Sequence, residues 1–333
     1  MAYRLKAKEP VPEGIRRVVL EEIDSATGLL GRSSKAKRDE AVHEARKSIK
    51  KIRGVLRFVR PELGRTYTQE NNRFREVGRQ LSQLRDAAAQ LEMFDQLAGK
   101  FAEKIEHDSL GEVRAGLERH KREIEQRLDV SQVIARASST LNAARARVGR
   151  WPLSGDGFDA LAPGIEQTYR RGRKALRAAR KSKDAVAYHD FRKRVKDHWY
   201  HVRLLEGVWT EIMQAHEAAL KELETWLGDD HNLVVLTEML KERPEEYGGK
   251  PVVQLFLAAC ASHQEELREN SISLGERVYA AKPKRFVEAN GLLWEAWQKQ
   301  PATMKNVEHE QRRVSARKPL GSTEKKPPKQ AVA

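Results

Sequence analysis

The chain has a single cysteine, Cys260, so it can form no intramolecular disulfide and no cysteine-based zinc site. No apolar run approaches the ~18 residues that a membrane-spanning helix needs. The first residues, Met1 to Pro12, are polar and basic and lack the apolar stretch of a secretory signal. These absences lead us to expect a reducing, aqueous, cytoplasmic setting. There is no GxxxxGK[ST] phosphate loop and no GxSxG elbow, which leaves nucleotide hydrolysis and acyl transfer without sequence support. Alternating β-branched runs are almost absent, and with them the signal for strands.

Charge is what the chain has in abundance. Charged residues make up 33% of the 333 and hydrophobic residues 39%, so the core must be thin and the surface heavily charged. Amphipathic helices suit that balance better than a sheet buried on both faces. Most segments are rich in Ala, Leu, Glu, Lys, Arg and Gln, the good helix formers, and an all-α fold is expected. Pro and Gly punctuate it at Pro61–Gly64, Trp151–Gly157, Lys241–Pro251 and Lys282–Pro283. The formal charge of +15 favours an acidic partner: nucleic acid, an anionic membrane surface or a polymeric phosphate. Residues 306–333 combine Lys, Pro, Ser and Gly with few large apolar side chains and read as a disordered basic tail.

An internal register organises the rest. Adding 146 to the residue number maps Ala41, His43, Arg46, Lys47, Lys50 and Arg57 onto Ala187, His189, Arg192, Lys193, Lys196 and Arg203, all identical. Glu44 becomes Asp190 and Ile49 becomes Val195. The same offset, without a gap, aligns Leu81 with Leu227, Arg85-Asp86 with His231-Asn232, and Met93 with Met239. Two unrelated helices can share one short string by chance, but rarely keep register for another forty residues. The chain therefore reads as a duplication, with halves of roughly 10–150 and 158–305, each built of several long helices.

On a helical wheel at ~100° per residue, Arg46, Lys47, Lys50 and Arg57 cluster within an arc of ~100° around His43. Ala41, Ala45, Ile49, Ile52, Val55, Leu56 and Val59 take the opposite side, and Arg53 falls close to the basic arc. In the second copy His189, Arg192, Lys193, Lys196, Tyr200 and Arg203 oppose Ala187, Phe191, Val195, Val202 and Leu205, with His198 out of place on the apolar side. Solvated helix faces usually mix signs, because like charges four residues apart repel. Here Arg46 and Lys50, and again Arg192 and Lys196, are such pairs. An extended polyanion would relieve the repulsion and release its own condensed counterions. Each exposed ion pair contributes only ~0–1 kcal/mol, so useful affinity needs many aligned. A third basic run contains Arg170, Arg173 and Lys174, with Arg170, Lys174, Arg177 and Lys181 on one face opposite Ile165, Tyr169 and Leu176.

These paired His-x-x-Arg-Lys-x-x-Lys strings resemble the signature of the CHAD family, the conserved histidine α-helical domain. So do Leu81-Ser82-Gln83-Leu84-Arg85-Asp86 and the segment Leu227 to Leu236. The resemblance covers about residues 10–305, as a single domain. It implies an all-α fold of two pseudo-symmetric helical bundles whose basic helices line a central groove or pore. It also implies binding of inorganic polyphosphate without catalysis and without a cofactor. By matching motifs it carries the binding role to His43, Arg46, Lys47, Lys50, His189, Arg192, Lys193 and Lys196. Arg57 and Arg203 are added by position, with Arg53, Arg170, Arg173 and Lys174 as further candidates. The second copy departs from the family's Arg-Asp or His-Asp pair by reading His231-Asn232. Some family members carry a CYTH-type triphosphate-processing domain. This chain shows none, so polyphosphate granules or separate polyphosphate-metabolising enzymes are the expected partners.

Other chemistries compete. The like-placed His43 and His189 suggest a metal, but their neighbours are Arg and Lys, which repel cations, and metal sites need three or four ligands. His189-Asp190 resembles the HD dyad of phosphohydrolases on two residues alone. Asp229-Asp230-His231 reads as a helix junction with Asp as cap. The tryptophans at 151, 199, 209, 226, 294 and 297 read as packing, apart from the basic ridges. Nonspecific RNA or DNA binding through the same faces is the main alternative, although bases would find little on the ridges to stack on.

Overall fold

A computed structural model describes residues 3–32, 37–83, 86–101, 107–127 and 129–300. Among the described residues there are twelve α-helices and no strand. The first half supplies α1 (Val11–Arg32), α2 (Arg38–Phe58), the one-turn α3 (Arg60–Leu63), α4 (Arg65–Gln83), α5 (Asp86–Phe101), α6 (His107–Arg127) and α7 (Val130–Val148). The second supplies α8 (Ala162–Ser182), α9 (Ala185–Leu204), α10 (Thr210–Glu242), α11 (Gly249–Val278) and α12 (Pro283–Lys299). Arg85 and the tail 306–333 lie outside the described residues.

Local signals explain the boundaries. Val11, Ile15, Val18, Val19, Ile23, Ala26 and Leu30 recur at helical spacing along α1 and are all buried. The Asp184 carboxylate caps α9 by accepting from the Ala187 amide at 2.7 Å, and Asp129 caps α7 through the Gln132 amide at 2.9 Å. Pro163 and Pro283 sit in the first turns of α8 and α12, where a missing N–H costs nothing. α8 stops at Lys183, which adopts the left-handed conformation.

Both hydrophobic cores draw on both halves. The larger packs α1, α2, α4 and α7 against α8, α9, α12 and the start of α10, around Ile15, Ile52, Phe58, Phe74, Tyr169 and Phe191. The smaller joins α5 and α6 to the end of α10 and to α11, through Phe94, Val113, Leu236 and Phe256. Phe94 and Phe256 meet at 5.3 Å between centroids.

Helices α2 and α9 cross at Gly54 and Tyr200, two positions equated by the 146-residue register. A Cβ on Gly54 would lie 2.8 Å from that of Tyr200, so the crossing needs glycine. The His201 Nε2 is 3.1 Å from the Gly54 carbonyl across the same contact. The crossing buries Tyr200, which the wheel had placed on the basic side. His198 is buried as well, within 5.4 Å of the Tyr169, His216, Tyr279 and Phe286 rings. Its place on the apolar side is thus an aromatic packing role, and burial holds its imidazole well below the ordinary range.

Candidate functional site

The face of α2 that turns away from the core carries His43, Arg46, Lys47, Lys50, Arg53 and Arg57. Fourteen steps of 1.5 Å from His43 to Arg57 make this stripe about 21 Å long. At its N-terminal end a cavity of about 430 Å³ opens between α2, α5, α9 and α10. His43, Arg46, Lys47 and Lys50 line one side and Arg192 of α9 another. Gln90 and Glu92 of α5 and Asp229, His231 and Asn232 of α10 complete it.

Within the cavity the two basic helices differ. Arg46 donates to the Ser82 hydroxyl at 2.9 Å, and Ser82 donates on to the Gly78 carbonyl. No ion pair joins Lys50 to a carboxylate among the described residues. Burial, with Lys196, Arg46 and Arg192 close by, pulls its ammonium down to about 7, and Glu224 only partly opposes them. Beside α9 the buried Glu224 of α10 takes Lys196 at 2.7 Å, Lys221 of α10 at 3.0 Å and Arg192 at 3.7 Å. Burial would raise the Glu224 carboxyl, but these three cations outweigh it and hold it at about 2. His189 does not line the cavity; its ring lies against His231 at 4.2 Å between centroids. Burial and the cations Lys193 and Arg192 depress His189. Burial, His189, Arg192 and Lys193 take His231 to about 4. Lys47 and Lys193 each pair with the acid three residues earlier, Glu44 at 2.6 Å and Asp190 at 3.3 Å.

Farther along α2 a second cationic group assembles around one buried acid, Asp197. Arg57 reaches it at 3.1 Å and Arg194 at 3.6 Å. Burial pushes the Asp197 carboxyl up against the pull of Arg57, Arg194, Arg53 and Arg171. Arg53 donates to Asn71 at 3.1 Å, and burial together with Arg57 brings it down to about 10. Arg171 is depressed by burial and by Arg60 and Arg194, while Arg60 stacks over Tyr67 at 4.6 Å. Arg60, Arg171 and Arg194 were not singled out from sequence. On the wheel Arg194 falls on the apolar side of α9; the available signal was an acid on either side of it, Asp190 and Asp197.

Other expected residues sit elsewhere. Arg203 pairs with Glu217 at 3.0 Å and lies over the Tyr3 and Trp199 rings, outside the cavity. Trp199 also meets Lys221, at 5.1 Å, so this tryptophan is not apart from the basic residues as the sequence suggested. Arg170 turns outward to Glu166, Lys174 is exposed, and Arg173 lines a separate small cavity with Arg177 and Tyr279. The turn of α8 instead brings Arg171 inward. Asp229-Asp230-His231 does not mark a helix junction: α10 runs through it unbroken. Asp230 is held inside the helix by Arg268 of α11 at 2.6 Å, Asp229 lines the cavity, and neither is a cap. Among the described residues no three His, Cys, Asp or Glu side chains are grouped to hold a metal, and no helix is long and apolar enough to cross a membrane.

Comparison with known proteins fits this architecture. No curated protein matches the chain. Among solved structures it is similar to the CHAD domain from the plant Ricinus communis. The TM-score is 0.63 and the identity 19%, over 84% of this chain and 95% of that one. At that identity the likeness speaks to the fold, which it shares. The family model for the CHAD domain matches residues 27–241, well over half of the chain and including both basic helices, so the chain belongs to the CHAD family.

Proposed function

We propose that the protein binds inorganic polyphosphate along the basic stripe of α2, and that it does so without catalysis. The observation that carries this reading is the surplus of cations over acids on one continuous face. Arg46, Lys50 and Arg192 gather at one end, and Arg53, Arg57, Arg171 and Arg194 surround the single Asp197 at the other. Two signs support a missing anion. Burial and like-charge neighbours depress Lys50, Arg53 and Arg171 together, and Lys50 makes no ion pair among the described residues. A chain of phosphates would complement all of them, with release of its counterions. The family is associated with polyphosphate-related proteins. We read the 146-residue register as a duplication, since the α2–α9 crossing joins positions that it equates, and attachment to polyphosphate granules as the cellular consequence.

Calorimetric titration with long-chain polyphosphate beside single-stranded RNA of matched charge, both in chelator, tests the proposal. Tight polyphosphate binding with weak RNA binding and no need for a divalent ion is the expected result. Equal affinity for RNA would make the stripe a generic basic surface. Turnover of polyphosphate that appears with added metal would overturn the non-catalytic reading.

A further inference from the structure

Resting on that reading, the geometry points to Glu224 as a specificity-determining residue: a built-in counter-anion, beside the cavity, that holds the α9 cations and confines the phosphate chain to α2. A carboxylate buried against the cations of a polyanion site needs a reason, because it repels the ligand. Its position gives one. Glu224 is 5% exposed and sits on three cations at once, at 2.7, 3.0 and 3.7 Å. It stands where a bridging phosphate oxygen would otherwise draw Lys196, Lys221 and Arg192 together.

The first half lacks this acid. The 146-residue register equates Glu224 with Gly78, and the neighbouring contacts keep the same equivalence. Arg46 meets Ser82, while its counterpart Arg192 lies against Gly228, 3.3 Å from where a Cβ would be. Lys50 thus makes no ion pair among the described residues, where its counterpart Lys196 has a carboxylate. Glu224 is ionised throughout the neutral range, so the difference is permanent. A phosphate chain entering the cavity gains more from Lys50 than from Lys196, which must first leave Glu224. The acid also keeps Lys196 and Arg192 in place with no ligand bound, and limits how tightly a chain is held, which favours its release.

The asymmetry can be reversed by two substitutions. Glu224→Gln keeps the shape and removes the charge. Gly78→Glu builds the acid on the α2 side; a Cβ there meets only the Ile49 methyl, at 3.5 Å, an ordinary contact. The full chain is titrated with long-chain polyphosphate at several salt concentrations. Glu224→Gln is expected to tighten binding about tenfold, and to steepen the slope of log affinity against log salt by roughly 0.7, the increment for one more neutralised phosphate. Gly78→Glu is expected to weaken binding by a similar factor. A merely structural role for Glu224 predicts the opposite sign for the first variant, a loss. Folded Glu224→Gln protein that binds as wild type or more weakly overturns the inference. Should that variant fail to fold, unchanged affinity in Gly78→Glu does the same. Wild-type binding with both variants unmoved sinks this inference alone, whereas wild type that binds no polyphosphate sinks the functional reading with it.

Discussion

Helices α2 and α9 carry the same His-x-x-Arg-Lys-x-x-Lys string, yet the two sets of cations have different neighbours. Lys50 makes no ion pair among the described residues, while Lys196 holds Glu224 at 2.7 Å. Arg57 reaches across to the buried Asp197, while Arg203 turns to the half-exposed Glu217 and the Trp199 ring. The neighbouring helices, not the string, decide which of these side chains remain available to a ligand. A repeated motif therefore need not mean a repeated role. The α2 copy leaves Lys50 without an ion pair among the described residues, and the α9 copy is largely satisfied from within.

The sharpest way to break this comparison is at its far end. Arg57→Met leaves Asp197 buried with Arg194 as its nearest remaining partner, and is expected to cost about 3 kcal/mol in urea unfolding. Arg203→Met, at the matching position, removes a pair open to solvent and should cost about 1 kcal/mol or less. Equal costs would mean that the two positions are energetically alike. Next in size is the cavity itself. Lys50→Glu should weaken polyphosphate binding about a hundredfold, since it places a charge of the wrong sign among Arg46, Arg192 and Lys196. Lys196→Gln should cost less than tenfold, because Glu224 already engages that lysine. Calorimetry that ranks the two the other way would contradict the comparison.

The crossing that sets the helices against each other gives a smaller effect. Gly54→Ala forces a Cβ against Tyr200 and should cost about 2 kcal/mol of stability. Gly28→Ala in α1, where nothing lies within 4 Å, should stabilise by about 0.5 kcal/mol. Thermal melting of both variants checks the contrast.

The smallest effect is the pH dependence. The Lys50 ammonium is pulled down to about 7 in the fold, below its ordinary 10.5. Between those values the unfolded chain binds more protons than the native one, so this group makes stability rise with pH across that window. A polyanion restores the proton. Binding at pH 8 should take up a fraction of a proton, and affinity should fall severalfold from pH 7 to pH 9. Arg46, Lys196, Arg192 and Glu224 face the amine, with His43, His231, Glu92 and Asp229 around the same cavity. Lys50→Met should remove most of the uptake, measured as the difference in binding heat between two buffers. Uptake that persists in this variant would assign the proton to the histidines instead.

Much of the fold could be read before any coordinates. Helical periodicity in α2 and α9, and the loop at Trp151–Gly157, come from local chemistry, and local chemistry is what a single sequence displays. What it did not display depends on partners distant in the chain. Tyr200 looked like part of the basic face because its burial is decided by Gly54, in another helix. Asp229-Asp230 looked like a cap because the arginine that keeps Asp230 inside α10 lies at position 268. Arg170 was preferred to Arg171 because which of two consecutive residues, ~100° apart on a wheel, faces inward is decided only once the neighbouring helix is placed. The crowding of Lys50 by Lys196, Arg46 and Arg192, on which the candidate site turns, is visible only when α2, α9 and α10 are brought together.

The most direct test of the account is a titration of the wild-type chain with polyphosphates of increasing length. If the ligand lies along the α2 stripe, affinity should climb with length and level off once the chain spans the roughly 21 Å from His43 to Arg57. Affinity that is already complete with pyrophosphate would contradict it, because the site would then be the cavity alone and the arginines around Asp197 would have no part in binding.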